Sequence, residues 1–171
     1  MFHTVAMVEA AGRTAPDLFF TYMSHVSPRL VANDASVTLV NSMHGVIFRD
    51  GVSAEMRAAV PILACNTITR LGAEVFGRSY GGGILKMEPS EAASLPLPSR
   101  AAASAAWRLL RPRQAYIEGL LQAGEWDKVR HLVDEALLVK ALALPNERVG
   151  ALGLALHKQR AHRQRKGTDA V

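Results

Sequence analysis

The sequence predicts an α+β fold: a small antiparallel β meander with helices over residues 1–98, then a helical region over residues 99–171. Three observations predict it. Short β-branched and aromatic runs in the first half alternate with Asn-Asp and Asp-Gly turn pairs. Beyond Ser99 the apolar residues recur at a 3.6-residue period, as at Val129, Leu132, Val133, Ala136 and Leu137. Hydrophobic residues are 49% and charged residues 20% of the 171, a composition that supports a packed core and argues against disorder.

Taken in order, 4–10, 18–23, 29–32, 36–40 and 45–48 read as strands, separated by Asn33-Asp34, Asn41-Ser42 and Asp50-Gly51. Ser53 is a good N-cap for a helix starting near Ala54, and Pro61 either kinks that helix or begins a new one running to Phe76. Residues 84–87 read as a strand and 89–93 as a helical turn. In the second half, 99–110 is an Ala-rich helix and Pro112 opens another to Leu121. Gly124 stops that helix, a long amphipathic stretch runs over 125–144, and a last helix follows Pro145-Asn146 over 147–166.

Charge divides unevenly. Residues 1–98 carry seven Lys/Arg against eight Asp/Glu, and residues 99–171 carry thirteen against seven. The excess concentrates in the last helix at Lys158, Arg160, Arg163, Arg165 and Lys166, which reads either as a nucleic-acid-facing tail or as a solvated, frayed helix. Cys65 is the single cysteine, so no intrachain disulfide forms. No apolar run reaches membrane-span length and no secretory signal pattern opens the chain, so a cytoplasmic protein is expected.

The most informative stretch is Gly77 to Pro98, GRSYGGGILKMEPSEAASLPLP. Three adjacent glycines cost backbone entropy, and a fold keeps them where it needs positive φ or a close backbone approach. Unobstructed N–H groups there form an anion-binding nest, flanked by the positive charges of Arg78 and Lys86. A β-turn with no ligand is the alternative. The segment resembles the C-terminal region of DNA N6-adenine methyltransferases of restriction-modification and related phage-defence systems. In that family Gly-Arg-x-Tyr-Gly-Gly-Gly leads through Glu-Pro-x-Glu into Leu-Pro-x-Pro. Here those positions are Gly77, Arg78, Tyr80, Gly81, Gly82, Gly83, Glu88, Pro89, Glu91, Leu95, Pro96 and Pro98. Weaker matches extend upstream to Pro28, Arg29, Asn33 and Asn41, and downstream to a helix pair with Asp134 in a Val-Asp position and a basic closing helix.

Methyl transfer needs elements that these residues do not show. The glycines lack the G-x-G-x-x-G spacing of a cofactor loop, and no Pro-Pro pair exists to build the Asn/Asp-Pro-Pro-Tyr/Phe element that holds a flipped adenine. The six histidines show no metal-ligand spacing, and Cys65, Trp107 and Trp126 read as packing residues. Asp134-Glu135 reads as a solvated helix face.

The resemblance therefore implies a target-recognition module that binds double-stranded DNA and works with a catalytic methyltransferase domain or subunit. S-adenosylmethionine is expected on that catalytic domain and not on this chain. Expected DNA contacts are Arg78, Ser79, Tyr80, Gly81, Gly82, Gly83 and Lys86, with Arg29, Asn33, Asn41 and His44 from the meander. Asn33 and Asn41 are also ordinary turn residues. No residue is assigned a catalytic or metal-binding role. A protein-interaction module, or the remnant of a truncated gene with no DNA role, is the alternative function.

Overall fold

The structure is a computed structural model that describes residues 5–8, 15–38, 43–48 and 51–168. Among the described residues, seven strands form two antiparallel sheets. The first has the order β1 (Val5–Val8), β5 (His44–Phe48), β2 (Leu18–Phe20), β4 (Leu30–Ala32); the second has β3 (Met23–Ser24), β7 (Ile84–Lys86), β6 (Arg78–Tyr80). The helices are α1 (Ala54–Leu63), α2 (Thr67–Phe76), α3 (Pro89–Ala93), α4 (Arg100–Leu110), α5 (Gln114–Gln122), α6 (Trp126–Asp134) and α7 (Asn146–Thr168). A π-helical stretch over Glu135–Ala141 continues α6. The expected α+β class with a helical C-terminal part is what forms.

The strand order departs from a consecutive meander. β5 pairs with β2 (Leu18 opposite Val46) and with β1, not with β4. Its residues explain why: Gly45, Val46 and Phe48 are buried, and a strand that apolar belongs between neighbours and not at an edge. Residues 36–38, expected as the start of a strand, are irregular; Ser36 has φ 51° and closes a turn on Asn33, and 39–40 lie outside the described residues. Pro61 neither ends α1 nor starts α2. It sits one turn from the helix end, and the break comes at Asn66, whose side chain accepts from Thr69 N (2.9 Å) and caps α2.

Two apolar clusters hold these elements. Leu18, Phe20, Val46 and Phe48 alternate inward from the first sheet to meet Ala73 of α2, Leu85 and Met87. The other gathers Ile62 and Leu63 of α1 with Trp107, Ile117, Val129, Val133, Leu137 and Leu138. Met56 packs against both. The core thus follows a different partition from the charge, because α1 lies before residue 98 and packs with the helices that follow it. The Asp17 carboxylate ties sheet to helix: it accepts from Phe48 N (2.6 Å) and pairs with Arg57 of α1.

Two charged groups from the second half grip α2. Asp134, expected on a solvated face, is 4% exposed and accepts from Thr67 N (2.7 Å), Thr67 Oγ1 (2.6 Å) and Arg130 Nη1 (3.2 Å). It caps the α2 N-terminus through space, where unpaired N–H groups and the helix dipole favour an anion. At the other end, Arg163 of α7 is 6% exposed and pairs with Glu74 through Nε (2.8 Å) and Nη2 (3.0 Å). The basic last helix is therefore not a solvated, frayed appendage: one of its cations is an internal ion pair.

Arg163→Met leaves the Glu74 carboxylate, whose side chain is 2% exposed, without its bidentate partner. Such a loss costs about 3–5 kcal/mol. Asp134→Asn, which keeps shape and removes the charge, costs about 1–3 kcal/mol. Urea unfolding of the chain measures both; an Arg163→Met loss below about 1 kcal/mol contradicts the lock.

Candidate nucleic-acid interface

The Gly77 to Pro98 segment folds as a hairpin followed by a strap. Gly77 ends α2 where a Cβ would lie 2.7 Å from Ala73 O and 2.7 Å from Leu85 Cδ1, so only glycine lets β6 leave so tightly. β6 and β7 then pair in register, Arg78 opposite Lys86, Ser79 opposite Leu85 and Tyr80 opposite Ile84. Gly81–Gly83 make the 3₁₀ turn between them, with Gly82 and Gly83 at φ 71° and 70°. The turn joins two antiparallel strands. It therefore lacks the strand-to-helix geometry that holds a nucleotide cofactor in a doubly wound sheet.

The glycines are not equivalent. A Cβ on Gly83 would come within 3.0 Å of Gln164 Cα, so the close approach there is made by helix α7. Arg163 seals it by donating from Nη1 to Gly83 O, while its Nη2 reaches His25 O (3.1 Å). Around Gly81 and Gly82 nothing lies within 4 Å of such a Cβ, leaving the tip open.

The remaining motif residues have internal work as well. Glu91 accepts from Glu88 N (2.8 Å), one half of a capping box that starts α3. Pro96 crosses α2: its carbonyl accepts from Thr69 Oγ1 (2.6 Å), and a Cβ on Gly72 would fall 2.5 Å from its ring.

All three β6 residues are exposed, Tyr80 at 58%. The two cations beside the turn are paired. Arg78 Nε donates to Glu91 (2.7 Å), and Lys86 Nζ pairs with Glu88 (2.9 Å) and lies 5.6 Å from the centre of the Tyr80 ring. Their mutual hydrogen bond holds the Lys86 ammonium above its usual range and the Glu88 carboxyl below its own. The hairpin thus presents a charge-balanced set: two cations, two carboxylates, an exposed aromatic ring and an open glycine tip.

The meander residues do not join this set as one cluster. Arg29 is exposed, with its guanidinium 4.8 Å from the centre of the Trp126 ring. The Asn33 amide is spent on a turn, donating to Pro16 O (2.8 Å) and Val37 O (2.8 Å) and accepting from Val37 N (3.1 Å). His44 faces inward: its ring lies 4.8 Å from Tyr22's, and Nε2 bonds Met87 O (3.0 Å). Asn41 lies outside the described residues. Sequence reasoning missed Glu74, Arg70 and Asp134 as buried charges. The available signal was the Arg70–Glu74 spacing of four inside an apolar helix, which places both on one face.

Among the described residues no group of three or more His, Cys, Asp or Glu is placed to hold a metal, and no helix is long and apolar enough to cross a membrane.

Comparison with known proteins finds one family. The family model described as the C-terminal domain of the type II methyltransferase M.Eco57I matches residues 9–138. No curated protein and no solved structure gives a match.

The three glycines predict a graded response to alanine. Gly81→Ala changes stability little, Gly82→Ala costs about 1–2 kcal/mol for a left-handed non-glycine residue, and Gly83→Ala costs more because it also displaces α7. Thermal unfolding of the three variants reads the order, and equal losses would contradict it.

Proposed function

Since the chain belongs to the family of M.Eco57I-type methyltransferase C-terminal domains, we propose that it is the DNA target-recognition module of an S-adenosylmethionine-dependent, adenine-specific DNA methyltransferase. In this reading it binds duplex DNA and leaves methyl transfer, and the cofactor, to a catalytic domain or subunit. Restriction-modification or phage defence in the cytoplasm is the setting this implies. The observation that carries the reading is the extent of the family match, which takes in the whole hairpin and strap.

The hairpin supplies chemistry suited to a DNA backbone. Arg78, with its side chain 63% exposed, can exchange a carboxylate for a phosphate of similar geometry, and Lys86 adds a point charge. Exposed Tyr80 offers a ring for stacking or a hydroxyl for a phosphate, and the open tip at Gly81 and Gly82 lets a backbone approach. Glu88 and Glu91 compete with phosphate for the same donors. They hold the cations in place and limit non-specific affinity.

Two opposite substitutions test this in the complex with the catalytic partner, by anisotropy of a labelled duplex across a salt series. Arg78→Ala weakens binding and lowers the slope of log affinity against log salt by about 0.9, the loss of one phosphate contact. Glu88→Gln, which frees Lys86, tightens binding and steepens the slope. Unchanged affinity and slope in both variants would remove the hairpin from the interface.

A further inference from the structure

A recess of about 310 Å³ opens between the chain that links β3 to β4 and helices α1 and α2, walled by Ser24, Ser27, Arg29, Cys65, Arg70 and Trp126. Its volume is at the lower end of the range of small-ligand sites, about 300–1,000 Å³. What sets it apart is a cation without sufficient partners. Arg70 is 5% exposed; Nη2 donates to Trp126 O (3.2 Å), but Nη1 is buried and has no hydrogen bond among the described residues. The carboxylate that pairs with it, Asp127, stands 3.8 Å away on a side chain 70% exposed to water. A guanidinium in this position carries a desolvation cost that so distant and hydrated a partner only partly offsets.

The surroundings deepen the deficit. Arg160, whose positive charge acts on Arg70, has Nε and Nη2 buried without hydrogen bonds, and it shares Glu74 with Arg163 at 3.7 Å. Three guanidinium groups, Arg70, Arg160 and Arg163, therefore face two carboxylates, Glu74 and Asp127, the second of which also pairs with Arg130 (3.3 Å). Arg29 adds a fourth at the mouth and forms no ion pair among the described residues; its guanidinium is held over Trp126 alone. Burial lowers the Arg70 pKa, and repulsion from Arg160 adds to the effect, which Cys65 and Asp127 oppose.

We infer that this recess is an oxyanion-binding site for a phosphate group, with Arg70 as the buried cation and Arg29 as the exposed one. The hydroxyls of Ser24 and Ser27 on the same wall are donated to Ser27 O (2.9 Å) and Pro28 O (3.4 Å), so the two guanidinium groups are the donors left for an anion. Either a phosphodiester of bound nucleic acid or a free phosphate carries the required chemistry, and the inference does not depend on the duplex-binding reading. The hairpin and the recess are joined mechanically, because Arg163 bonds both Gly83 O and His25 O.

Cys65 provides the readout. It lines the recess and the larger cavity beside it and is the chain's only thiol, so alkylation by a neutral reagent reports access to this one position. Burial holds its pKa above the ordinary thiol value, so basal labelling is slow at neutral pH and rises as the pH is raised. Inorganic phosphate at saturation slows labelling several-fold relative to sodium chloride of equal ionic strength. Arg29→Ala raises the half-protecting phosphate concentration about tenfold, as loss of one charge-assisted hydrogen bond should. Arg70 is buried and its replacement endangers the fold, so exposed Arg29 carries the test. A short duplex in place of phosphate identifies the source: protection by duplex alone that Arg29→Ala abolishes assigns the site to a DNA phosphodiester. Protection by phosphate in a chain that binds no duplex upholds the recess and rejects the DNA reading. Equal slowing by chloride, no slowing by either ligand, or protection unchanged in Arg29→Ala overturns the inference.

Discussion

The architecture hangs on one buried ion pair. Arg163, near the end of the last helix, meets Glu74 in the last turn of α2 and reaches the glycine turn and the β3–β4 link with its remaining donors. A buried charge pair of this kind contributes modestly to net stability, because desolvation offsets much of the attraction. Its consequence is geometric. Each partner is intolerable without the other, so α7 has one place to lie, and that place presses it against Gly83. Helix, turn and second sheet are then positioned together.

Helix α2 is the spindle on which both halves turn. Asp134 caps its first turn from α6, Glu74 holds α7, Gly72 admits Pro96, and Gly77 releases the hairpin. Only ten residues long, an isolated helix of this length is marginal in water; tertiary contacts along its whole length sustain it. The residues of the glycine segment divide accordingly. Gly77, Gly83 and Pro96 serve the packing around α2, and Glu91 caps α3. Arg78, Ser79, Tyr80, Gly81 and Gly82 are carried on the hairpin it supports and are exposed.

The proposed DNA-binding role depends on charge that is held but not used up. At the hairpin, Glu88 and Glu91 balance Lys86 and Arg78 near the surface, where water screens the pairs. In the recess beside Trp126 the balance is incomplete, because Asp127 stands in water while Arg70 does not. The two sites thus differ in kind: an exposed set of exchangeable pairs, and a buried cation with a deficit.

Much of the fold was legible along the chain. Ser53 reads as a cap and does cap, since a hydroxyl beside a helix start has a local partner. Gly124 reads as a stop and has φ 76°. The glycine segment named the family because its order of residues is itself the signal. Asp134, Glu74 and Arg163 were not legible: periodicity marks which face a residue occupies, but not whether a partner helix covers that face with an opposite charge. Nor was the sheet order, since pairing β5 with β2 and β1 depends on which strand needs two buried neighbours. The sequence by itself thus determined the class, some of the local stops and starts and the family. Tertiary structure decided which charges are buried, because a buried charge depends on a partner 67 or 89 residues away that no local pattern announces.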